Sequence, residues 1–232
     1  MSDQKQDPVS LWEKWEVEFQ MRDRLYGGIP KNPDVMSSWI KVGTGLSDSV
    51  LDEAVERIKA TDPTAVTVAN IDQIAEKGWT GFKSDTNGLF VEHRQVKAML
   101  KEAANILRDV LGIKAFRSKI AELIFLEGDT QFGEGRIHLD RLTPDGFEER
   151  PVHAMTPSGP ITALKRVDYV DTPTIQFTLK ILHKPVLDQD KKKWWAKDFL
   201  PVLFEYASEN GFGADRSQEK GKFRLTRLEK TA

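Results

Sequence analysis

Three separate stretches of this 232-residue chain alternate between apolar and polar side chains, and this alternation constrains the fold most. Residues 12–22 read WEKWEVEFQMR, residues 174–182 read TIQFTLKIL, and residues 222–228 read KFRLTRL. A period of two is typical of a β-strand with one buried face. In the third stretch we expect Phe223, Leu225 and Arg227 to share a face. The three stretches therefore predict three strands of a sheet.

Two helices are predicted between these strands. Residues 92–111 carry an apolar stripe at helical spacing, and Gly112 follows where a C-terminal cap belongs. Residues 198–210 form the second helix, with Asp198 as its N-cap and Pro201 in its first turn. The order strand–helix–strand–helix–strand predicts an α+β fold, a ferredoxin-like (RRM-like) split βαβ palm.

Two insertions interrupt this order within what we treat as one domain, residues 1–232. Residues 43–78 are expected to form an acidic, helical, thumb-like insertion, since the window 47–76 holds seven acidic and two basic side chains. Residues 113–163 contain short apolar pieces and many turn residues. They predict a second, irregular insertion without a helix.

Charge and composition narrow the classes of function. The chain has 34 Lys and Arg against 36 Asp and Glu, which argues against a uniformly basic nucleic-acid coat. Residues 216–230 hold six basic and two acidic side chains, so an anionic partner should bind near the C-terminal third. The absence of cysteine excludes thiolate nucleophiles and cysteine zinc sites. A polar N-terminus and no long apolar run predict a soluble, cytoplasmic protein without a membrane partner.

The segment GFGADRSQEKGKF at 211–223 carries the clearest chemistry, and we call it the glycine loop. Glycines let the backbone adopt positive φ and approach another chain closely. Arg216, Lys220 and Lys222 supply cations, and Ser217 supplies a hydroxyl, which suits a phosphodiester backbone. The alternative is a glycine cap followed by a solvated basic strand.

The glycine loop resembles the signature of the RAMP superfamily, the repeat-associated proteins of CRISPR effector complexes. The match includes Gly211, Gly213, Arg216, Ser217, Gly221 and Phe223, while Glu219 stands where one glycine is usual. Three further segments resemble the family in the same order: LYGGIP at 25–30, LFVEHRQVKAMLKEA at 89–103 and ALKRVDYVDTPTIQFTLKIL at 163–182. Lys97 and Lys101 match the basic positions of the family's first helix.

This resemblance is closest to the backbone subunits that coat guide RNA. It implies a palm that binds single-stranded RNA, with protein subunits, including copies of itself, as further partners. The RNA-binding residues implied by the resemblance and the loop chemistry are Lys97, Lys101, Gly211, Gly213, Arg216, Ser217, Lys220, Gly221 and Lys222.

A basic and aromatic run, KKKWWAK at 191–197, is a second candidate for RNA binding. Trp194 and Trp195 have the aromatic faces on which bases stack, and the lysines can hold phosphates. The alternative is a lysine-rich bend in which one tryptophan covers the core.

Asp34 and His93 are the candidate catalytic residues if the protein cleaves RNA. Some related backbone subunits use a metal-assisted aspartate after the first strand, and Asp34 is the only carboxylate between Gly27 and Ser47. Guide-processing members use a histidine as general acid–base, and His93 opens the first helix. The alternatives are a turn residue and a helix-start residue. No histidine spacing indicates a metal site, so no cofactor is expected unless Mg²⁺ serves a nuclease.

Three functions stay open. The leading hypothesis is a non-enzymatic RNA-binding subunit of an RNA-guided or other ribonucleoprotein complex, since the glycine loop and the ordered segments favour it. The second is an endoribonuclease acting through Asp34 with metal or through His93 without it. The third is a structural or assembly protein of a phage or mobile element that reuses the fold, which the balanced net charge and the acidic insertion favour.

Overall fold

The computed structural model of the chain describes residues 11–31, 79–127, 135–156 and 159–231, as a strand-rich mixture of α and β elements. The helices of this part, α1 to α3, span His93–Val110, Phe116–Leu123 and Ala196–Asn210. The strands β1 to β7 span Trp12–Met21, Arg24–Tyr26, Ile29–Pro30, Trp79–Gly81, Lys83–Asp85, Gly88–Glu92 and Ile124–Glu127. The strands β8 to β14 span Arg136–His138, Gly146–Thr156, Gly159–Asp171, Thr174–Leu182, Val186–Leu187, Lys193–Trp194 and Phe223–Lys230.

The main sheet has four antiparallel strands in the order β14–β1–β11–β7. The alternation expected in β1 and β11 is confirmed: Val17, Phe19 and Ile175 are buried, while their chain neighbours are more exposed. Phe19 lies opposite Ile175 in the register. The buried side chains belong to one hydrophobic core that also includes side chains of α1 and α3. This face of the sheet is therefore covered by helices.

Strand β14 contains an irregularity that the alternation did not indicate. The register between β1 and β14 shifts between Glu18 and Phe19, so that Leu225 pairs with Phe19 whereas Arg227 pairs with Glu18. A β-bulge changes the face of every residue that follows it. Arg227 accordingly donates to Glu16 instead of sharing the core face with Phe223. The expectation that Arg227 lies with Phe223 and Leu225 was wrong.

Helix α1 confirms the helix expected over 92–111. Its buried side chains include Val96, Leu100 and Leu107. The helix ends in a left-handed Gly112 with φ of +64°, and the amide of Ile113 donates to the carbonyl of Arg108. This is the hydrogen bond of a Schellman cap, for which glycine is the favoured residue.

Helix α3 begins two residues earlier than the sequence predicts. Its N-cap is Trp195, and Asp198 lies at the third helical position, where its carboxylate accepts a hydrogen bond from the Trp195 amide at 2.9 Å. A carboxylate in the first turn satisfies an otherwise unpaired amide and complements the helix dipole. Pro201 consequently lies beyond the first turn.

The strands on either side of the acidic insertion pair with strands that follow β7. A second sheet has the order β2–β10–β4–β3, with β9 alongside β10, and a third joins β5, β6 and β8. Strands from the segment after β1 are thus bonded to strands from the segment after β7. The acidic insertion 43–78 lies outside the described residues.

Residues 113–163 are more regular than expected, which corrects the prediction of an irregular segment without a helix. They contain α2, β7, β8, β9 and part of β10. Helix α2 forms because Phe116, Ile120 and Leu123 recur at helical spacing and are buried. Pro151 is tolerated in β9 because β9 pairs only with β10 among the described strands, and an edge strand accepts proline.

No helix in the described ranges combines the length and the apolar character needed to cross a membrane.

Candidate nucleic-acid interface

The glycine loop is fixed to the core and to β2 by backbone hydrogen bonds. Phe212 is buried against Phe19, and its amide donates to the carbonyl of Gly221 at 2.8 Å. The amide of Ala214 donates to the carbonyl of Tyr26 at 3.1 Å. Gly213 has φ of +90°, and an added Cβ would lie 2.7 Å from the Leu25 side chain. Glycine is therefore required here both for backbone conformation and for close approach.

The glycine loop faces α1 across an open hollow of about 170 Å³, which we call the cleft. Its lining comes from the two segments together: Gln95, Ala98, Met99, Glu102, Gly211, Phe212, Gly213 and Arg216. A second hollow of about 340 Å³ is lined by Ala98, Lys101, Glu102, Asn105 and Arg117. Because the hollows share Ala98 and Glu102, they follow one another along the solvent side of α1.

The principal cation of the cleft already has an anionic partner. Arg216 Nη1 lies 2.5 Å from Glu102 Oε2, and both side chains are partly exposed. A guanidinium has five N–H donors, so this contact leaves donors for another anion. On the other side of the loop, Lys165 Nζ of β10 lies 2.9 Å from Asp215 Oδ1. These two ion pairs hold the loop between α1 and β10.

The other predicted cations do not all point into the cleft. Lys101 lines the second hollow, and Lys220 Nζ lies 5.5 Å above the ring of Tyr26. Lys222 pairs with Glu219 at 3.2 Å. Lys97 lies over the ring of Phe125 on β7, and burial together with the neighbouring charge of Lys101 lowers the pKa of its ammonium group.

The remaining predicted loop residues have distinct places. Ser217 is exposed in a short 3₁₀ turn, Arg216–Gln218. Gly211 and Gly221 are buried where the two ends of the loop meet, with φ of +86° and +76°. Their role is conformational, since an added Cβ at Gly211 would lie 2.5 Å from the Lys220 carbonyl.

Trp194 and Trp195 lie outside the glycine loop. Trp194 ends the hairpin β12–β13, and Trp195 follows it. The indole of Trp194 donates to Asp188 at 3.0 Å, and Lys192 lies over its ring. Trp195 is the N-cap of α3 and packs against His183 at 4.9 Å between ring centroids. Both rings therefore have intramolecular neighbours. Their stacking on RNA bases stays a prediction.

Of the two candidate catalytic residues, only His93 lies within the described residues. Asp34 lies outside the described residues. His93 begins α1, its amide donates to the carbonyl of Gly135, and burial lowers the pKa of its imidazole from an ordinary value of 6.5. The ring is thus neutral at pH 7, but it is not among the residues that line the two hollows. Catalysis by either residue stays a prediction.

Charged pairs support the start of α1 beside the cleft. Glu92 is buried and binds Lys83 at 2.8 Å and Arg94 at 2.5 Å. Gln95 reaches back so that its side-chain oxygen accepts the amide of Glu92. Within the described ranges, no group of three or more His, Cys, Asp or Glu side chains is arranged to hold a metal ion.

Sequence reasoning missed the polar side of α1. Gln95, Ala98, Glu102 and Asn105 recur every three or four residues opposite the apolar stripe, and they form the wall of both hollows. That spacing is a signal available in the sequence. The pairing of Glu102 with Arg216 has no such signal in the sequence, because the two residues are 114 positions apart.

Comparisons with known proteins add little. No family model matches the chain, and no curated protein matches it. A similar solved structure is the cryo-EM structure of the type III-B Cmr-beta bound to cognate target RNA, with a TM-score of 0.47 and 11% sequence identity. The match covers 94% of this chain and 60% of that chain, so this chain spans less than two thirds of its length.

Proposed function

We propose that this protein binds single-stranded RNA in the cleft, as a RAMP-like subunit of a ribonucleoprotein complex, without cleaving it. The main support for this proposal is that the glycine loop and α1, two segments far apart in the chain, line one open hollow that contains Arg216. The strand order β14–β1–β11–β7, with α1 and α3 as the connecting helices, supports a ferredoxin-like split βαβ palm beneath it.

The chemistry of the cleft fits a phosphodiester backbone. Arg216 offers a forked guanidinium, and Lys101 and Arg117 extend the positive charge along the second hollow. Phosphate contacts of this kind position a strand without reading its bases. Gly211 and Gly213 fix the conformation in which the loop presents Arg216 to the cleft, since both have positive φ and both lie too close to neighbouring atoms for a Cβ.

Glu102 acts in this proposal as an internal substitute for phosphate. Its carboxylate occupies Arg216 in the free protein and sits in the wall of both hollows, where it repels an incoming RNA strand. RNA binding therefore requires Arg216 either to release Glu102 or to bind Glu102 and a phosphate at the same time. Removing the charge of Glu102 should strengthen binding.

Fluorescence anisotropy with a labelled 30-nucleotide oligouridylate, over a series of KCl concentrations, tests the proposal. The double variant Arg216→Ala with Lys101→Ala removes one cation from each hollow and should weaken binding. Two lost phosphate contacts should reduce the slope of log K against log salt by about 1.4. Glu102→Gln should bind more tightly than the wild type, because it removes the competing carboxylate.

The matched control is Arg224→Ala with Lys180→Ala, which removes the same charge from the main sheet, away from the cleft. It should leave the slope nearly unchanged. No binding by the wild-type protein at 50 mM salt, or equal effects of the two double variants, would refute the cleft as the RNA site.

A further inference from the structure

Six cations lie together around the turn between α1 and α2, and only Arg117 among them lines one of the two hollows. We call this group the lysine end: Lys114, Arg117, Lys119, Lys191, Lys192 and Lys193. It forms because the hairpin β12–β13 packs on the turn between α1 and α2. The amide of Gln189 donates to the carbonyl of Gly112 at 2.9 Å, and Lys119 Nζ donates to the carbonyl of Leu187 at 3.2 Å.

The positive charge of the lysine end exceeds the negative charge of the hairpin, which holds two carboxylates, Asp188 and Asp190. No ion pair links the six cations to a carboxylate within the described part of the chain, although the hydrogen bond from Trp194 and the charge of Lys192 lower the pKa of Asp188. The carboxylate of Asp188 is used for the hairpin itself. It accepts the amides of Asp190 and Lys192 and the indole N–H of Trp194.

The lysine end lies beyond the cleft along α1. Glu102, in the wall of the cleft, precedes Gly112 by ten residues, which corresponds to about 15 Å along a helix. The second hollow lies between them, and Arg117 belongs to both the hollow and the lysine end. A strand that leaves the cleft along α1 therefore meets further cations.

We propose that the lysine end binds the phosphodiester backbone of the RNA strand beyond the cleft, through charge and without base contacts. This inference rests on the proposed function. Lysine ammonium groups are point charges that neutralise phosphates, whereas lysine is depleted in protein–protein interfaces. The exposed large apolar side chains nearest in sequence are Ile106, Val110, Phe125 and Leu187, too few for the apolar core of a protein interface.

The test compares two triple variants that change the net charge equally. The first is Lys191→Gln, Lys192→Gln and Lys193→Gln in the hairpin. The second, on the main sheet, is Lys14→Gln, Lys180→Gln and Lys230→Gln. Binding of the 30-nucleotide oligouridylate is measured by anisotropy across the salt series, and circular dichroism checks that each variant is folded.

The hairpin variant should reduce the slope of log K against log salt by about 2, since each lost single-strand phosphate contact contributes about 0.7. The sheet variant should change the slope far less. Arginine at the three hairpin positions should retain the wild-type slope, because the positive charge remains.

An unchanged slope for the hairpin variant would overturn the inference, because the three lysines would then contact no phosphate. Equal reductions in both triple variants would also overturn it, since net charge alone would then explain the effect. If the hairpin variant fails to lower the slope while Arg216→Ala with Lys101→Ala still does, only this inference falls. If the wild-type protein binds no RNA, the proposed function falls with it.

Discussion

Glu219 adopts a backbone conformation that suits glycine. Its φ is +59°, in the left-handed region, and its side chain is 84% exposed with one lysine partner, Lys222. A left-handed conformation costs a residue with a Cβ about 1–2 kcal/mol. An exposed ion pair offsets this cost by less than about 1 kcal/mol. The glycine usual at this position in the RAMP signature is thus what the observed backbone favours.

We expect Glu219→Gly to be more stable than Glu219→Ala by about 1 kcal/mol. Both variants remove the ion pair, but only glycine relieves the left-handed strain, while its greater unfolded-chain entropy offsets part of that gain. Urea denaturation followed by circular dichroism measures the difference. An alanine variant as stable as the glycine variant would contradict the role of φ.

The glycine loop depends on the contact between its two ends. Gly221 has φ of +76°, and an added Cβ would overlap the carbonyl of Phe212, whose side chain is part of the core. This junction places Gly213 and Arg216 opposite α1. Disturbing it should therefore affect both stability and the cleft.

Gly221→Ala should lower the free energy of unfolding by about 2 kcal/mol or more, because the loop must move or the backbone must change region. Gly28→Ala is the matched control. An added Cβ there would meet only the Ala214 Cβ at 3.4 Å, an ordinary contact. Thermal melting of both variants tests the predicted difference in stability. Similar melting temperatures would show that the junction is not rigid.

A buried carboxylate on the main sheet, Glu13, and a partly buried one on the third sheet, Asp85, link the stability of the molecule to pH. Burial alone would raise the pKa of Glu13, but hydrogen bonds from His183 and Trp15 and the charge of Lys230 lower it below its usual 4.5. Burial likewise opposes ionisation of Asp85, and Arg136, the Asn87 amide and His138 outweigh it, so that its pKa is also lowered. The contacts with histidine join elements that are distant in the chain, since His183 follows Glu13 by 170 positions and His138 follows Asp85 by 53.

A carboxyl whose pKa is lower in the folded state stabilises the fold above its unfolded pKa. That stability is lost as the pH falls through the folded value. We therefore expect the free energy of unfolding to decrease below about pH 4.5, and Glu13→Gln to make this decrease shallower while lowering stability at pH 7. Urea denaturation between pH 3 and 7 measures it. Glu205→Gln, at an exposed position of α3, is the control, and a Glu13→Gln curve parallel to the wild type would contradict the assignment.

Local patterns determined several of the longer elements of this protein. The alternation in 12–22 and 174–182 and the apolar stripe of 92–111 each report burial of one face, which depends only on the period of the strand or helix. These segments are β1, β11 and α1. The same reasoning identified the glycine loop, because glycine at several close positions has a local conformational cause.

Only the tertiary structure determined which residues these elements contact. The bulge between Glu18 and Phe19 turns Arg227 away from the core, and no period within β14 indicates it. The long ribbon of β9 and β10 forms by pairing between segments that read as turns and prolines. Arg216 reads as a free cation in the sequence, yet it is bound to Glu102 across 114 residues. Such contacts depend on how distant segments pack against each other. A short stretch of sequence does not show which distant residues it will contact, so it cannot indicate the energy of that packing.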